Sequence, residues 1–184
     1  MYLNYIPRPY PELMNIPMYN PYMYWVNPQM YGMYANPYYN PRPAYAPRQT
    51  TIQDYGPDPF VFDIDEITER NNTFRTTLWS GTNLQVTLMS LNVGEDIGVE
   101  VHEVGDQFIR IEEGNALVRM GDREDNLNLQ RAVSDNDAII IPAGIWHNII
   151  NVGNEPLKLY TIYAPPEHAP NTVHGTKADA QASE

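Results

Sequence analysis

Three observations predict an all-β fold, a sandwich or closed jelly roll. From Phe60 onward short segments alternate apolar and polar residues, they follow one another at nearly even spacing, and Gly, Asn and Asp turns separate them, while no helix of convincing length competes. Leu84-Gln85-Val86-Thr87-Leu88 alternates with period two, as do Ile109 to Glu112 ahead of the turn at Glu113-Gly114-Asn115. Ala116 to Met120 runs into a second tight turn at Gly121-Asp122. Leu127 to Val133, Ala138 to Ile141, His147 to Val152 and Leu157 to Tyr163 complete the series. Gly175 to Glu184 carries no large apolar anchor and is expected to fray.

The first fifty residues differ in composition. Tyr, Pro, Asn and Met dominate them, and the only charged side chains are Arg8, Glu12, Arg42 and Arg48. Asn-Pro recurs at Asn20-Pro21, Asn27-Pro28, Asn36-Pro37 and Asn40-Pro41, often followed closely by tyrosine or methionine. Proline at this density removes backbone donors and forces the preceding residues out of the helical region, which predicts an irregular or polyproline-II segment with no sheet of its own. The expected organisation is a disordered tail over 1–55, a β-barrel over 56–166 and a flexible C-terminal segment over 167–184. Ordinary disordered linkers are poor in tyrosine and methionine, so this tail reads as a segment that associates with itself or with a partner. Its composition resembles the Tyr- and Pro-rich segments of coat and surface-layer proteins, including those of bacterial endospores.

A chain of 184 residues suffices for one domain plus a tail. Its net charge of −12 argues against nucleic acid and anionic membranes as partners, since both require a basic surface. Cysteine is absent, which removes any disulfide framework. Met1 to Ile6 has no basic n-region, and Pro7, Pro9 and Pro11 interrupt any apolar run, so no secretory signal is read and a cytoplasmic location is expected, with an assembled coat as the alternative. No stretch approaches the roughly 20 apolar residues of a membrane span.

The chemistry is concentrated in two short clusters on separate strand-like segments. Glu100 and His102 are two residues apart, so on a strand they share one face, and Val99 and Val101 take the other. His147 follows the strand-breaking turn Pro142-Ala143-Gly144, and Gln107 opens the strand after the Glu103 to Asp106 turn. If the shared face is the barrel interior, these side chains converge on one cavity.

Gly94, His102 and Gly114 match the first motif of the cupin family, and Pro142, Gly144, His147 and Asn151 match the core of the second. Over roughly residues 75 to 165 the chain resembles a small single-domain cupin, a jelly-roll β-barrel. Three positions depart from the pattern. Glu100 stands in place of the first histidine, Gln107 in place of the glutamate, and Asn136 in place of the glycine that opens the second motif. The resemblance implies one divalent metal ion, with Glu100, His102 and His147 as ligands and Gln107 or Asp106 assisting. Ligand charge is kept although the carboxylate has moved. Two imidazoles and a carboxylate suit Fe, with Mn, Zn and Ni as further candidates. Gln107 cannot replace the glutamate as a proton acceptor, because an amide does not titrate near neutral pH. The bland alternative makes these histidines hydrogen-bonded core residues of a metal-free barrel.

Phe108, Trp146 and Tyr160 are candidates for lining an apolar pocket that takes a small, partly apolar or sugar-like ligand. His168 and His174, beyond the last strand, read as surface or lid residues, and Arg110 as solvent-facing or paired with Glu112. Cupin relatives include sugar-phosphate isomerases, dioxygenases and decarboxylases, so the fold chooses no reaction. Metal-dependent oxygen chemistry or isomerisation is the expectation if the protein is an enzyme. A homodimer is expected, with residues 51 to 75 supplying a strand to cover an open sheet edge. The competing class is a structural protein that uses the barrel as a scaffold and the tail for association.

Overall fold

Which way a side chain faces in this barrel follows from strand parity. The computed structural model describes residues 51–183. Among them the elements run α1 (Ile64–Arg70), β1 (Arg75–Ser80), β2 (Gln85–Leu91), β3 (Asp106–Glu113), β4 (Ala116–Gly121), β5 (Leu129–Val133), β6 (Ala138–Ile141), β7 (Trp146–Asn151), β8 (Leu157–Ala164), β9 (Val173–His174) and α2 (Lys177–Gln181). The expected tail falls almost wholly outside the described residues. All seven strands named from the sequence are present. β1 was not named, because Arg75, Thr76 and Thr77 are polar yet buried, and a strand covered on both faces loses its alternation.

The strands form a six-stranded sheet in the order β6-β3-β8-β2-β1-β9 and a three-stranded sheet in the order β5-β4-β7, with antiparallel pairing throughout. Register decides the core. Gln107, Ile109 and Ile111 of β3 lie opposite Tyr163, Thr161 and Leu159 of β8, and all six are buried. Met89, Leu91, Ile109, Ile111, Leu157 and Leu159 of the larger sheet pack against Ala116, Val118 and Ile149 of the smaller one. Burying side chains of this size stabilises the fold by about 1.5–3 kcal/mol each.

The outer face of the larger sheet is also covered. Leu78 and Leu88 point away from the core and pack with Ile67 of α1, and Ile52, Tyr55, Phe62 and Ile64 close over them. Residues 51 to 75 therefore lie against their own barrel, with Tyr55 N donating to Leu78 O (2.8 Å), where the sequence suggested a strand for exchange with a partner. The apolar side chains between Ile52 and Ile67 explain the difference, since they find a complementary face in cis.

The C-terminal segment differs from expectation too. α2 is held by a capping box, in which Asp179 N donates to Thr176 Oγ1 (3.2 Å) and Thr176 N to Asp179 Oδ2 (2.8 Å). Ala180 inserts into the core cluster and Lys177 pairs with Asp96. One small side chain and two polar ties replace the large apolar anchor that the sequence lacks.

Asp54 joins three parts of the chain. Its carboxylate accepts from Ser80 N (3.0 Å), Ser80 Oγ (2.6 Å), Gly56 N (2.9 Å) and Asn171 N (3.0 Å). Partial burial alone would raise its pKa, but these donors outweigh it and hold the carboxyl below its usual 3.8. Asp54→Asn is expected to cost about 1–3 kcal/mol in urea denaturation near neutral pH. A depressed folded-state pKa contributes stability above the unfolded value and loses it on acidification. The gap between wild type and variant should therefore close as pH falls below 3.8, and a gap independent of pH would refute the assignment.

Candidate metal site and its cavity

The turn before β7 sets up the site. Ile145 N donates to Pro142 O (3.2 Å), and Gly144 has φ 79°, the left-handed angle that a type II turn needs at its third residue. No atom lies within 4 Å of a side chain begun at Gly144, so the backbone angle and not space demands glycine. Gly144 N then reaches His102 O (2.8 Å), which ties the two clusters together. As the third residue of the preceding Ser134–Asp137 turn, Asn136 takes φ 70°, a conformation that asparagine tolerates, which explains how it stands in the glycine position.

Residues 94 to 102 add an irregular edge beside β7. Ile97 N donates to Ile149 O (3.1 Å), and Glu100 and His147 exchange both backbone bonds (3.0 and 2.9 Å). Such a pair presents its two side chains on one side. Glu100 Oε1 accordingly lies 3.3 Å from His147 Nε2 and 3.6 Å from His102 Nε2. One ligand atom from each of the three residues lies within 4.8 Å of the others. Val101, expected on the opposite face, lines the adjoining cavity, because this edge is not a regular strand.

Ring orientation follows from the partners. His147 is fully buried, with Nδ1 3.0 Å from Ile145 O and Nε2 3.3 Å from Glu100 Oε1, so the carbonyl and the carboxylate fix which nitrogen faces the cluster. His102 Nδ1 lies 3.3 Å from Glu167 Oε1, which orients that ring in the same sense. Burial would raise the Glu100 pKa, but contacts and charge from His102 and His147 hold it at about 2. Burial likewise works to lower the His102 pKa, and Glu100 and Glu167 together raise it above 6.5. The cluster is an ionised carboxylate between two imidazoles.

These residues fit a divalent ion. Ligands at about 2.0–2.2 Å from one ion stand roughly 3–3.5 Å from each other, close to the separations from Glu100 Oε1. His102 Nδ1, His102 Nε2 and His147 Nε2 are buried and form no hydrogen bond, their nearest acceptors being the carboxylates of Glu167 and Glu100 at 3.3–3.6 Å. Gln107, also buried, donates through Nε2 to Thr161 Oγ1 (3.1 Å), leaving its Oε1 a buried acceptor without a hydrogen-bond partner. Asp106 stands apart: it is exposed and its Oδ1 accepts from Ala143 N (3.0 Å), so it braces the turn.

A cavity of about 480 Å³ opens over Glu100 and His102, and Arg75, Glu167, His168, Thr172 and His174 also line it. His168 is clasped by Gln85, whose Nε2 donates to His168 O (2.8 Å) and whose Oε1 accepts from His168 N (2.9 Å). Burial, reinforced by Arg75, holds its imidazole at about 4, and therefore neutral. His168 and His174 are thus cavity residues. Arg75 and Glu167 were missed by sequence reasoning: one lies in the unrecognised β1, the other beyond the last motif. The expected lining by Phe108, Trp146 and Tyr160 is corrected, as none of them borders this cavity. Phe108 and Trp146 each adjoin an inward residue, Gln107 or His147, and so face away, while Tyr160 packs in the outer cluster with Leu78 and Leu88. Arg110 does pair with Glu112 (3.5 Å).

A closed antiparallel jelly roll whose interior carries a Glu/His/His cluster beside an open cavity defines a class of ligand-binding β-barrel. Residues 87–163 match the Cupin domain model. The chain is 54% identical over 172 residues to the uncharacterized protein YrkC of Bacillus subtilis (strain 168), covering 92% of this chain and 91% of that one. It is 40% identical over 115 residues to the uncharacterized protein L612 of Acanthamoeba polyphaga mimivirus, covering 62% of this chain and 70% of that one. The crystal structure of BH2720 from Bacillus halodurans, at 60% identity, superposes with a TM-score of 0.71 over 71% of this chain and 99% of that one. The protein belongs to the cupin family. Among the described residues no helix is long and apolar enough to cross a membrane.

Gly144→Ala is expected to lower stability by about 1–2 kcal/mol through the left-handed angle alone. Gly144→Asn should lose less. Equal losses in chemical denaturation would contradict the turn assignment.

Proposed function

We propose that this cupin holds one divalent metal ion through Glu100, His102 and His147, with Gln107 Oε1 as an assisting oxygen, and binds a small polar molecule in the adjoining cavity. One observation carries the reading. Three donor atoms lie within 4.8 Å of one another, while Ile145 O contacts the far nitrogen of His147 and the Glu167 carboxylate lies 3.3 Å from that of His102. Two imidazoles and one carboxylate accommodate Fe, Mn, Zn or Ni, and such an ion would supply Lewis-acid polarisation of an oxygen on the bound molecule. The chain's own part is to hold Glu100 ionised, keep both Nε2 atoms turned inward, and enclose the site behind Glu167 and His168.

Protein purified without chelator and reconstituted should carry close to one metal per chain by elemental analysis. Glu100→Ala and His147→Ala should lose it. Metal at 100 times its dissociation constant should stabilise the wild type by about 2.7 kcal/mol and leave His147→Ala unchanged. Wild type that takes up no metal on reconstitution would refute the reading.

A second reading is favoured by the composition of the first fifty residues, since of the 14 tyrosines only Tyr55, Tyr160 and Tyr163 lie beyond them. In this reading the barrel is a scaffold, paired as a homodimer, and the tail recruits it into a coat or similar assembly, spore coat being one example. Removing residues 1–50 should abolish association beyond the dimer, read by sedimentation, while the barrel stays folded and paired. A truncated protein that associates like the full chain would exclude this role.

A further inference from the structure

A hydrogen-bonded chain runs from the start of the described residues to the cavity. Asp54 Oδ2 accepts from Ser80 Oγ (2.6 Å), Ser80 Oγ accepts from Gln85 Nε2 (2.9 Å), and the Gln85 amide clasps both backbone groups of His168 (2.8 and 2.9 Å). The chain has one sense. An ionised carboxylate only accepts, so the Ser80 hydroxyl donates to Asp54 and offers Gln85 a lone pair alone. That turns the amide nitrogen of Gln85 toward Ser80 and leaves its oxygen for His168 N. Asp54 Oδ2 also accepts from Asn171 N (3.0 Å), so the segment after β8 is held from one carboxylate at two points. Glu167, whose carboxylate lies 3.3 Å from His102 Nδ1, adjoins the first of them. The anchor itself is firm: no side chain fits between Gly56 and Ser80 O, so the backbone next to Asp54 is pressed against β1, and Gln85 is fully buried.

We propose that Asp54 is a remote positioning residue of the candidate metal site: it holds residues 167–171, and with them the Glu167 carboxylate against His102, so that the segment leading into the barrel governs the site. Its effect on the metal rests on the reading of Glu100, His102 and His147 as ligands; its hold on the segment does not. Asp54 contributes no atom to the cluster. In Asp54→Asn the new NH2 group conflicts with Ser80 N and Gly56 N, which only donate, so it turns to Ser80 Oγ and reverses the sense of the chain. The Gln85 amide then has to turn as well, which sets its NH2 group against His168 N and releases His168 and Glu167 together.

Hydrogen exchange followed by NMR on the metal-free full chain reads the hold on the segment. Asp54→Asn should speed exchange of the His168 amide, which Asp54 does not touch, at least about fivefold, the scale of one buried hydrogen bond lost. Ser80→Ala should speed it in the same direction, while Ile67→Val, a modest loss of packing in the outer cluster, should not. Zinc affinity, measured by competition with a chelator, should fall at least about threefold in Asp54→Asn and about tenfold or more in Glu167→Gln. Adding Asp54→Asn to Glu167→Gln should lower it no further, since both act through His102. Unchanged His168 exchange or unchanged zinc affinity in folded Asp54→Asn, or a zinc loss that adds in full to that of Glu167→Gln, would overturn the proposal. Should Asp54→Asn fail to fold, Ser80→Ala decides by the same readings, alone and combined with Glu167→Gln. A wild type that takes up no zinc removes the metal reading, and His168 exchange then decides alone whether Asp54 positions the segment.

Discussion

The reciprocal backbone pairing of Glu100 with His147 is the interaction on which the site depends. Residues 94 to 102 form no regular strand, and Gly98, at φ 97°, breaks the extended run just before Glu100. What fixes Glu100 is therefore its partner: two short bonds to β7 set it opposite His147, and one bond from Gly144 holds His102 at the same height. Asp96 reinforces the edge from outside, accepting from Asn148 Nδ2 (2.9 Å) and pairing with Lys177 of α2. The position of a half-buried carboxylate is in this way coupled to a helix at the other end of the sequence.

Within the second motif, chemistry and scaffolding are divided residue by residue. His147 alone contributes a donor atom to the cluster. Gly144 supplies the turn angle, and Asn151, 1% exposed, staples three segments by donating to Leu91 O (3.0 Å) and Glu155 O (2.8 Å) and accepting from Gly153 N (2.9 Å). An unsatisfied buried carbonyl costs about 1–3 kcal/mol, so an apolar replacement at Asn151 exposes two such costs together. The motif marks a turn and a strand end as much as it marks a ligand.

Strands with one buried face were legible because alternation reports burial, and Glu100, His102 and His147 were legible because two-residue spacing and a turn signal place them. Gln107 was read correctly as inward, since it shares parity with Ile109 and Ile111. The failures have one physical origin. β1 is covered on both sides, α1 and α2 are too short for a 3.6-residue pattern to repeat, and Arg75, Glu167 and His174 reach the cavity through contacts between segments far apart in sequence. Phe108, Trp146 and Tyr160 were assigned by chemical type without parity, and parity sends them outward.

The origin of the cavity lining limits what family membership implies for function. The Glu100, His102 and His147 cluster is built within residues that match the family model. The rest of the cavity lining comes from β1 and from the segment after β8. That segment is short and is held by the Gln85 clasp, the β9 pairing at the edge of the larger sheet and one capped turn of helix. The cluster and the flanking lining are therefore set by separate stretches of sequence.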